Sequence, residues 1–366
     1  MTSFLILIAA MLGGLALLMS WSRGTPAPFV DANGTVLPGS IAEKIYVPIN
    51  GVDQGMVIKS VDQTHPVLLY LHGGMPDYFL TQDYPTGLDQ HFTVVWWEQR
   101  GSGMSYWPDT PLETITPAQL IADTLAVTQY LQNRFGQELI YLMGHSGGTF
   151  LGLQVAAQAS ENYHAYIAIA QITDQLASER LAYDYMLAQF RAQGDAPMVR
   201  RMQAAPPPQT VPLSDAYMGL RDVAMHKLGV GTMRQMRSVV RDLFLRSLQF
   251  RDYTLAEKIR LWRGKIVAGA ALWNTVLRTD LTTQITTLEL PVYFLHGALD
   301  YTVSYPLARR YFDQLEAPRK GFYTFAEAAH SPLFEDPQRL GEIMVNDVLA
   351  GGIASADPVG AQSLDE

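Results

Sequence analysis

Apolar residues along this chain fall into short continuous runs, separated by segments with helical spacing. Such runs are typical of parallel strands that are covered on both faces. Four of them predict the centre of a sheet: Val67 to Leu71, Phe92 to Trp97, Leu139 to Met143 and Ala165 to Ala170. Two alternating runs come first, Lys44 to Ile49 and Gly55 to Val61, and they predict an antiparallel hairpin.

Helical signals stand between the later strands. Thr116 and Pro117 form an N-cap and a first-turn proline, and they open a helix that runs to Phe135 and ends at Gly136. Beyond a long interruption the alternation returns, with two strands and two helices: Val292 to His296, Pro306 to Leu315, Gly321 to Phe325 and Pro337 to Leu349. Strands that alternate with helices predict an α/β fold with a mostly parallel, doubly wound sheet.

The interruption, residues 173 to 288, has a helical composition with many Met and Arg residues. Residues 173 to 285 hold 16 Lys and Arg against 10 Asp and Glu, a balance of +6 in a chain whose net charge is -9. This asymmetry predicts an inserted helical cap. The chain then divides into a first core part (41–172), the cap (173–288) and a second core part (289–350), with a linker at 25–40 and a disordered tail at 351–366.

The first 24 residues predict a membrane anchor or a signal sequence. Phe4 to Trp21 carries no charge over 18 residues, about the minimum for crossing a bilayer. No Lys or Arg precedes this run and no clear cleavage site follows, so a single-pass anchor is favoured over a secretory signal peptide. The side of the membrane on which the protein would lie is left open.

Composition removes several classes of function. The net charge of -9 argues against a nucleic-acid partner. The chain has no cysteine, so it has no thiolate nucleophile, no disulfide and no cysteine metal site. A hydrophobic fraction of 48% is sufficient for a full core.

The chemistry centres on Gly144-His145-Ser146-Gly147-Gly148, which lies between a predicted strand and a predicted helix. A strand, a G-x-S-x-G turn and a helix form a nucleophile elbow. The turn holds its serine at a strained backbone angle, so the positions two before and two after it must lack bulk. Ser146 is therefore the predicted nucleophile.

A serine nucleophile needs a base and an acid that orients the base, and in this fold class they follow the serine in the order acid, histidine. Asp300 follows the seventh predicted strand, and His330 lies on the loop after the eighth. They are the predicted acid and base. Alternatives are His296 as base and Glu335 or Asp336 as acid, although packing and helix capping suit these three residues better. The predicted oxyanion donors are the N–H groups of Gly147 and of Gly74, or of Met75 one residue later.

These motifs together resemble the α/β-hydrolase superfamily, and more narrowly its proline iminopeptidase branch. The resemblance covers about residues 42 to 172 and 286 to 350. It rests on HGG after the third strand, EQRGSGMS after the fourth, the serine elbow, the GALD turn and the AHSPLFEDP stretch. It implies that Ser146, Asp300 and His330 form a catalytic triad, with Gly74 and Gly147 near the oxyanion.

Three departures from that branch weaken the transfer of peptide specificity. The first loop reads HGGMP where the family has HGGPG, Glu98 replaces an aspartate, and Gly147 stands where those peptidases carry a tryptophan. Iminopeptidases also bind the free amine of the substrate with acidic residues of the cap, for which Glu179 and Glu257 are possible counterparts.

The leading hypothesis is hydrolysis of an ester, lactone or amide bond of a small molecule or short peptide through an acyl-enzyme, with no metal or organic cofactor. Three alternatives stay open: an aminopeptidase of the iminopeptidase type, an acyltransferase, and a membrane-tethered binding protein that kept the fold without the chemistry. Haloalkane and epoxide chemistry on this fold generally uses an aspartate nucleophile, so Ser146 argues against both.

Overall fold

One eight-stranded sheet forms the centre of the protein. The structure, a computed structural model, describes residues 13–14, 18–205 and 209–358. The strands are β1 (Ile41–Ile49), β2 (Val52–Ser60), β3 (Val67–Leu71), β4 (Thr93–Trp97), β5 (Ile140–His145), β6 (Tyr163–Ile169), β7 (Val292–Gly297) and β8 (Lys320–Phe325). Each strand expected from the sequence is present, with ends that shift by at most three residues.

The sheet order is β1-β2-β4-β3-β5-β6-β7-β8. β2 runs antiparallel to both β1 and β4, and every other neighbouring pair is parallel. The initial hairpin and the mostly parallel sheet are therefore confirmed. The carboxyl ends of β3, β5, β7 and β8 lie along one edge, which is where ligands bind in sheets of this kind.

Both faces of the sheet are buried, which explains why its central strands are continuously apolar. Along β3, Leu69 packs into the core on one face and Leu68 into the core on the other, because side chains alternate along a strand. Val95 and Val94 of β4 divide in the same way.

Helices cover the two faces and fill the interval between β6 and β7. In chain order they are α1 (Pro117–Phe135), α2 (Gly147–Gln158), α3 (Gln175–Ala192), α4 (Ala196–Ala204), α5 (Asp215–Leu228), α6 (Leu245–Gln249), α7 (Leu255–Arg278), α8 (Leu281–Gln284), α9 (Tyr305–Gln314), α10 (Pro332–Glu335) and α11 (Pro337–Ile343). Wider turns precede α6 at Val240–Phe244 and follow α11 at Met344–Leu349. α1 begins as expected, because the Thr116 hydroxyl accepts the N–H of Gln119, and it ends at Gly136 with a φ of 66°.

The described residues between β6 and β7 form helices and no strand. Part of this segment has a core of its own, which includes Met186, Phe190, Met202, Tyr217 and Met225. A cap inserted at residues 173 to 288 remains our prediction for the domain boundaries.

The prediction of a membrane anchor is contradicted. Among the residues that the structure describes, no helix is both long enough and apolar enough to span a bilayer. Most of Phe4 to Trp21 lies outside the described residues. The described end of the segment contacts residues between α6 and α7: the Trp21 indole N–H donates to the carbonyl of Gln249, and the Arg251 guanidinium lies 3.8 Å from the Trp21 ring centroid. Hydropathy alone was an insufficient criterion for assigning an anchor here.

The expected disordered tail, 351–366, lies partly outside the described residues, since the structure describes it only to residue 358. Within that part, Asp357 accepts the backbone N–H of Thr324 on β8, and Asp347 accepts the N–H groups of Ala354 and Ser355.

Candidate active site

Ser146 occupies the sharp turn between β5 and α2. Its backbone has φ 55° and ψ -123°, a conformation that non-glycine residues rarely adopt. Its N–H donates to the carbonyl of Ile169 at 2.9 Å, which fixes the turn against the neighbouring strand β6. The structure therefore places Ser146 in a nucleophile elbow at the carboxyl edge of the sheet.

The glycines around Ser146 are required by close backbone contacts. A Cβ atom on Gly144 would lie 2.8 Å from the carbonyl oxygen of Gly148, and one on Gly148 would overlap the carbonyl oxygen of Leu71. Because α2 must start directly behind the serine, no side chain fits at either position.

Asp300 and His330 meet at the same edge. His330 Nδ1 lies 2.9 Å from Asp300 Oδ2, and both side chains are buried. The other carboxylate oxygen, Oδ1, accepts the N–H groups of Thr302 (2.8 Å) and Val303 (2.9 Å). The carboxylate is thus fixed by its own loop and can orient the imidazole.

Burial acts on both members of this pair. Burial alone would raise the pKa of Asp300, but the neighbouring His330 and His296 outweigh it and hold the pKa of Asp300 below its ordinary value. Burial lowers the pKa of His330, against the opposing effect of Asp300. A histidine with a lowered pKa is neutral at neutral pH, the form that a general base needs.

The alternatives to this pair have other contacts. His296 Nε2 lies 3.1 Å from the carbonyl oxygen of Val303 and 3.3 Å from Asp300 Oδ2. This histidine therefore packs behind Asp300. Asp336 caps α11 through the N–H of Arg339. Glu335, which we expected to cap a helix, instead accepts the N–H of Ala329, the residue before His330.

The loop after β3 packs directly against the elbow. A Cβ atom on Gly147 would lie 3.3 Å from the carbonyl carbon of Gly73 and 3.4 Å from the nitrogen of Gly74. The two predicted oxyanion residues are therefore neighbours. A donor role for Gly74 and Gly147 remains a prediction.

Two backbone positions at the site were missed from the sequence. Gly73 touches Ser146: a Cβ atom on Gly73 would lie 2.8 Å from Ser146 Cβ and 3.2 Å from Ser146 Oγ. Gly73 is the first glycine of the HGG motif, and a glycine in such a motif indicates a position where a side chain would not fit. The carbonyl of Gly231, in the loop after α5, accepts the N–H of His330 at 3.3 Å, and no motif marks that contact.

The glutamates considered for amine binding already have partners. Glu179 is buried and accepts from Arg221 at 2.7 to 2.9 Å and from the Tyr217 hydroxyl at 2.8 Å. Glu257 accepts from Lys44 Nζ at 2.7 Å and from the Tyr46 hydroxyl at 2.6 Å. Each of these carboxylates is neutralised by a cation of the protein itself.

The EQRGSG stretch supplies structure around the site. Glu98 is buried and accepts from the Tyr253 hydroxyl and the Met104 N–H, and burial raises its pKa to about 8. Arg100 donates to Asp123 of α1 through Nε at 2.7 Å and Nη2 at 3.0 Å. This ion pair connects the loop after β4 to that helix. Within the described part of the chain, no group of three or more His, Asp or Glu side chains is arranged to hold a metal ion.

Comparison with known proteins gives consistent matches. The family described as serine aminopeptidase, S33, matches residues 62–337. The protein named probable aminopeptidase YbaC, from Bacillus subtilis (strain 168), is 29% identical over 303 residues, which cover 81% of this chain and 93% of that relative.

Solved structures share the fold at low sequence identity. A proline iminopeptidase from Mycobacterium smegmatis has a TM-score of 0.62 and 16% identity, over 84% of this chain and 98% of that one. A proline iminopeptidase-related protein from Thermus thermophilus has a TM-score of 0.57 and 22% identity, over 86% of this chain and 99% of that one.

Proposed function

The chain belongs to the serine aminopeptidase S33 family and is an α/β-fold serine hydrolase; from this we propose that it cleaves an ester or amide bond of a small substrate through an acyl-enzyme on Ser146. The family confirms the fold and the resemblance to the proline iminopeptidase branch that the sequence motifs indicated.

In the proposed mechanism, Ser146 Oγ attacks the carbonyl carbon of the substrate while His330 Nε2 accepts the hydroxyl proton. His330 then gives that proton to the leaving alcohol or amine. Water, activated by the same imidazole, releases the acyl group and restores Ser146. Asp300 holds the imidazole with its Nδ1–H inward, and the N–H groups of Gly74 and Gly147 stabilise the oxyanion.

One observation carries this proposal. The strained Ser146 turn lies at the sheet edge that also holds the Asp300–His330 pair, whose donor and acceptor are 2.9 Å apart. A structural turn would not require a non-glycine residue at positive φ, and a packing histidine would not require a carboxylate fixed by two backbone N–H groups.

For the substrate, we propose an acyl group without a free α-ammonium. Recognition of an ammonium group requires a carboxylate that is not already paired with a cation. Arg221 is paired with Glu179, and Lys44 is paired with Glu257. Glu98, with its pKa raised to about 8, is mostly protonated at pH 7. A small ester or blocked amide fits this arrangement better than a peptide with a free N-terminus.

An aminopeptidase is the second candidate. The observation that favours it is the name of the Bacillus subtilis relative, which aligns over 81% of this chain. In that case the ammonium would be bound by groups other than Glu179 and Glu257.

Two measurements test the proposal. A fluorophosphonate probe should label the wild type and the Ser160→Ala control, because Ser160 lies at the amino end of β6, away from the site. Ser146→Ala should not be labelled and should not turn over substrate. Labelling of Ser146→Ala at the wild-type rate would remove the nucleophile assignment.

A substrate panel then separates the two candidates. It pairs p-nitrophenyl esters of varied chain length with proline and alanine arylamides, each with a free or an acetylated amine. We expect esters and acetylated amides to be preferred. A strong preference for free-amine arylamides would establish the aminopeptidase instead.

A further inference from the structure

A second carboxylate–imidazole pair lies beside the first. His145, directly before the proposed nucleophile, has its Nδ1 2.9 Å from Asp77 Oδ2. Both residues are buried. The rings of His145 and His330 are 5.1 Å apart between centroids and inclined by 37°. Two buried imidazoles, each with its own aspartate, thus stand next to each other at this edge of the sheet.

The hydrogen bonds of His145 hold its ring on both sides. Its Nε2 lies 3.1 Å from the carbonyl oxygen of His330, and a carbonyl can only accept. On the other side, Asp77 Oδ2 also accepts the hydroxyl of Tyr70 at 2.7 Å. Burial raises the pKa of Tyr70 well above its ordinary value, so this hydroxyl keeps its proton and donates.

Both ring nitrogens of His145 are therefore held by neighbours. Nδ1 faces the Asp77 carboxylate, and Nε2 faces the His330 carbonyl and the Ser331 hydroxyl.

The same bonds connect three loops of the site. Asp77 follows the glycines of the proposed oxyanion loop, His145 ends β5 at the elbow, and the His330 carbonyl belongs to the loop after β8. A weaker contact also joins the elbow to the loop after β8, since Ser331 Oγ lies 3.4 Å from His145 Nε2. The bridge therefore spans the elements that carry the nucleophile, the base and the oxyanion donors.

We propose that Asp77 and His145 are positioning residues, which hold the His330 loop on the elbow and so keep the His330 imidazole in place as the base. This inference rests on the proposed function. Neither residue touches the reacting atoms in this scheme, so both act through His330.

The experiment compares His145→Gln and Asp77→Asn with His164→Gln. His164 is an exposed residue on the far end of β6, so it serves as the matched control. We expect kcat to fall about tenfold or more in the two test variants with little change in KM, because the base is misplaced by a fraction of an ångström.

A purely structural role predicts a different result. It would lower thermal stability and leave the kcat of the folded enzyme in place, and that outcome would overturn the proposal. If Ser146→Ala is inactive while both test variants keep the wild-type kcat, the proposed function stands and this inference fails.

A second measurement needs no catalysis. In ¹⁵N-histidine NMR of the wild-type protein, His145 Nδ1 should carry a proton, because the Asp77 carboxylate that faces it accepts. Disappearance of that signal in His145→Gln assigns it. An unprotonated His145 Nδ1 would refute the proposal even if the variants did not fold.

Discussion

Asp300→Asn is the change that tests the proposed catalytic pair most directly. The substitution preserves the shape of the side chain and removes one negative charge. In the native site, Oδ1 accepts two backbone N–H groups, so the amide oxygen of the asparagine should take that place. The amide nitrogen must then face His330 Nδ1, where Oδ2 is now.

This reversal changes the tautomer of the base. An amide N–H₂ can only donate, so His330 Nδ1 must accept and its proton must move to Nε2. Nε2 can then no longer take the proton of Ser146. On the scale of the same change in a serine-protease triad, we expect kcat to fall by about 10³ to 10⁴, or roughly 4 to 5.5 kcal/mol in activation free energy.

The assay is kcat and KM for the best p-nitrophenyl ester, with the thermal midpoint measured in parallel. Asp347→Asn is the matched control, because Asp347 is equally buried and accepts two backbone N–H groups and the Tyr323 hydroxyl, away from the site. It should lose stability and keep kcat. Asp300→Asn with more than about a tenth of wild-type kcat would refute the tautomer argument.

Three further predictions address the base, the elbow and the loop after β4. Because burial lowers the pKa of His330, kcat/KM should rise with pH along an acid limb below pH 6.5, and a limb at or above about pH 7 in the wild type would contradict this. Gly148→Ala should reduce the free energy of unfolding, measured in urea, by about 3 kcal/mol or more. Gly74→Ala, whose Cβ would meet nothing within 4 Å, should reduce it by less than about 1 kcal/mol, and equal losses would count against the close packing of the elbow. Asp123→Asn leaves Arg100 buried without a counter-charge and should reduce the free energy of unfolding by about 3 to 5 kcal/mol, so a change below about 1 kcal/mol would show that this ion pair is unimportant.

The sequence was sufficient for the strands and the elbow, because both are specified by neighbouring residues. A strand covered on both faces needs a continuous apolar run, and the runs were visible without any contact information. The elbow needs small residues at Gly144 and Gly148, since the chain must turn from β5 into α2 within a few residues. The positions of Asp300 and His330 after β7 and β8 follow from the order of the strands.

Hydropathy was misleading where it was used without tertiary context. An uncharged run of 18 residues has the length of a membrane span, but an apolar surface can equally pack on protein. The described end of that run contacts Gln249 and Arg251, more than 200 positions later in the chain, and no local pattern encodes this contact.

Only the tertiary structure decided which charged groups neutralise one another. Glu257 meets Lys44 across 213 positions of sequence, and His145 meets Asp77 across 68 and the His330 carbonyl across 185. A glutamate that could bind a substrate amine and one that is already paired look the same in a sequence. The difference is made by the fold, because burial makes an unpaired charge costly and only a partner brought in from elsewhere in the chain removes that cost.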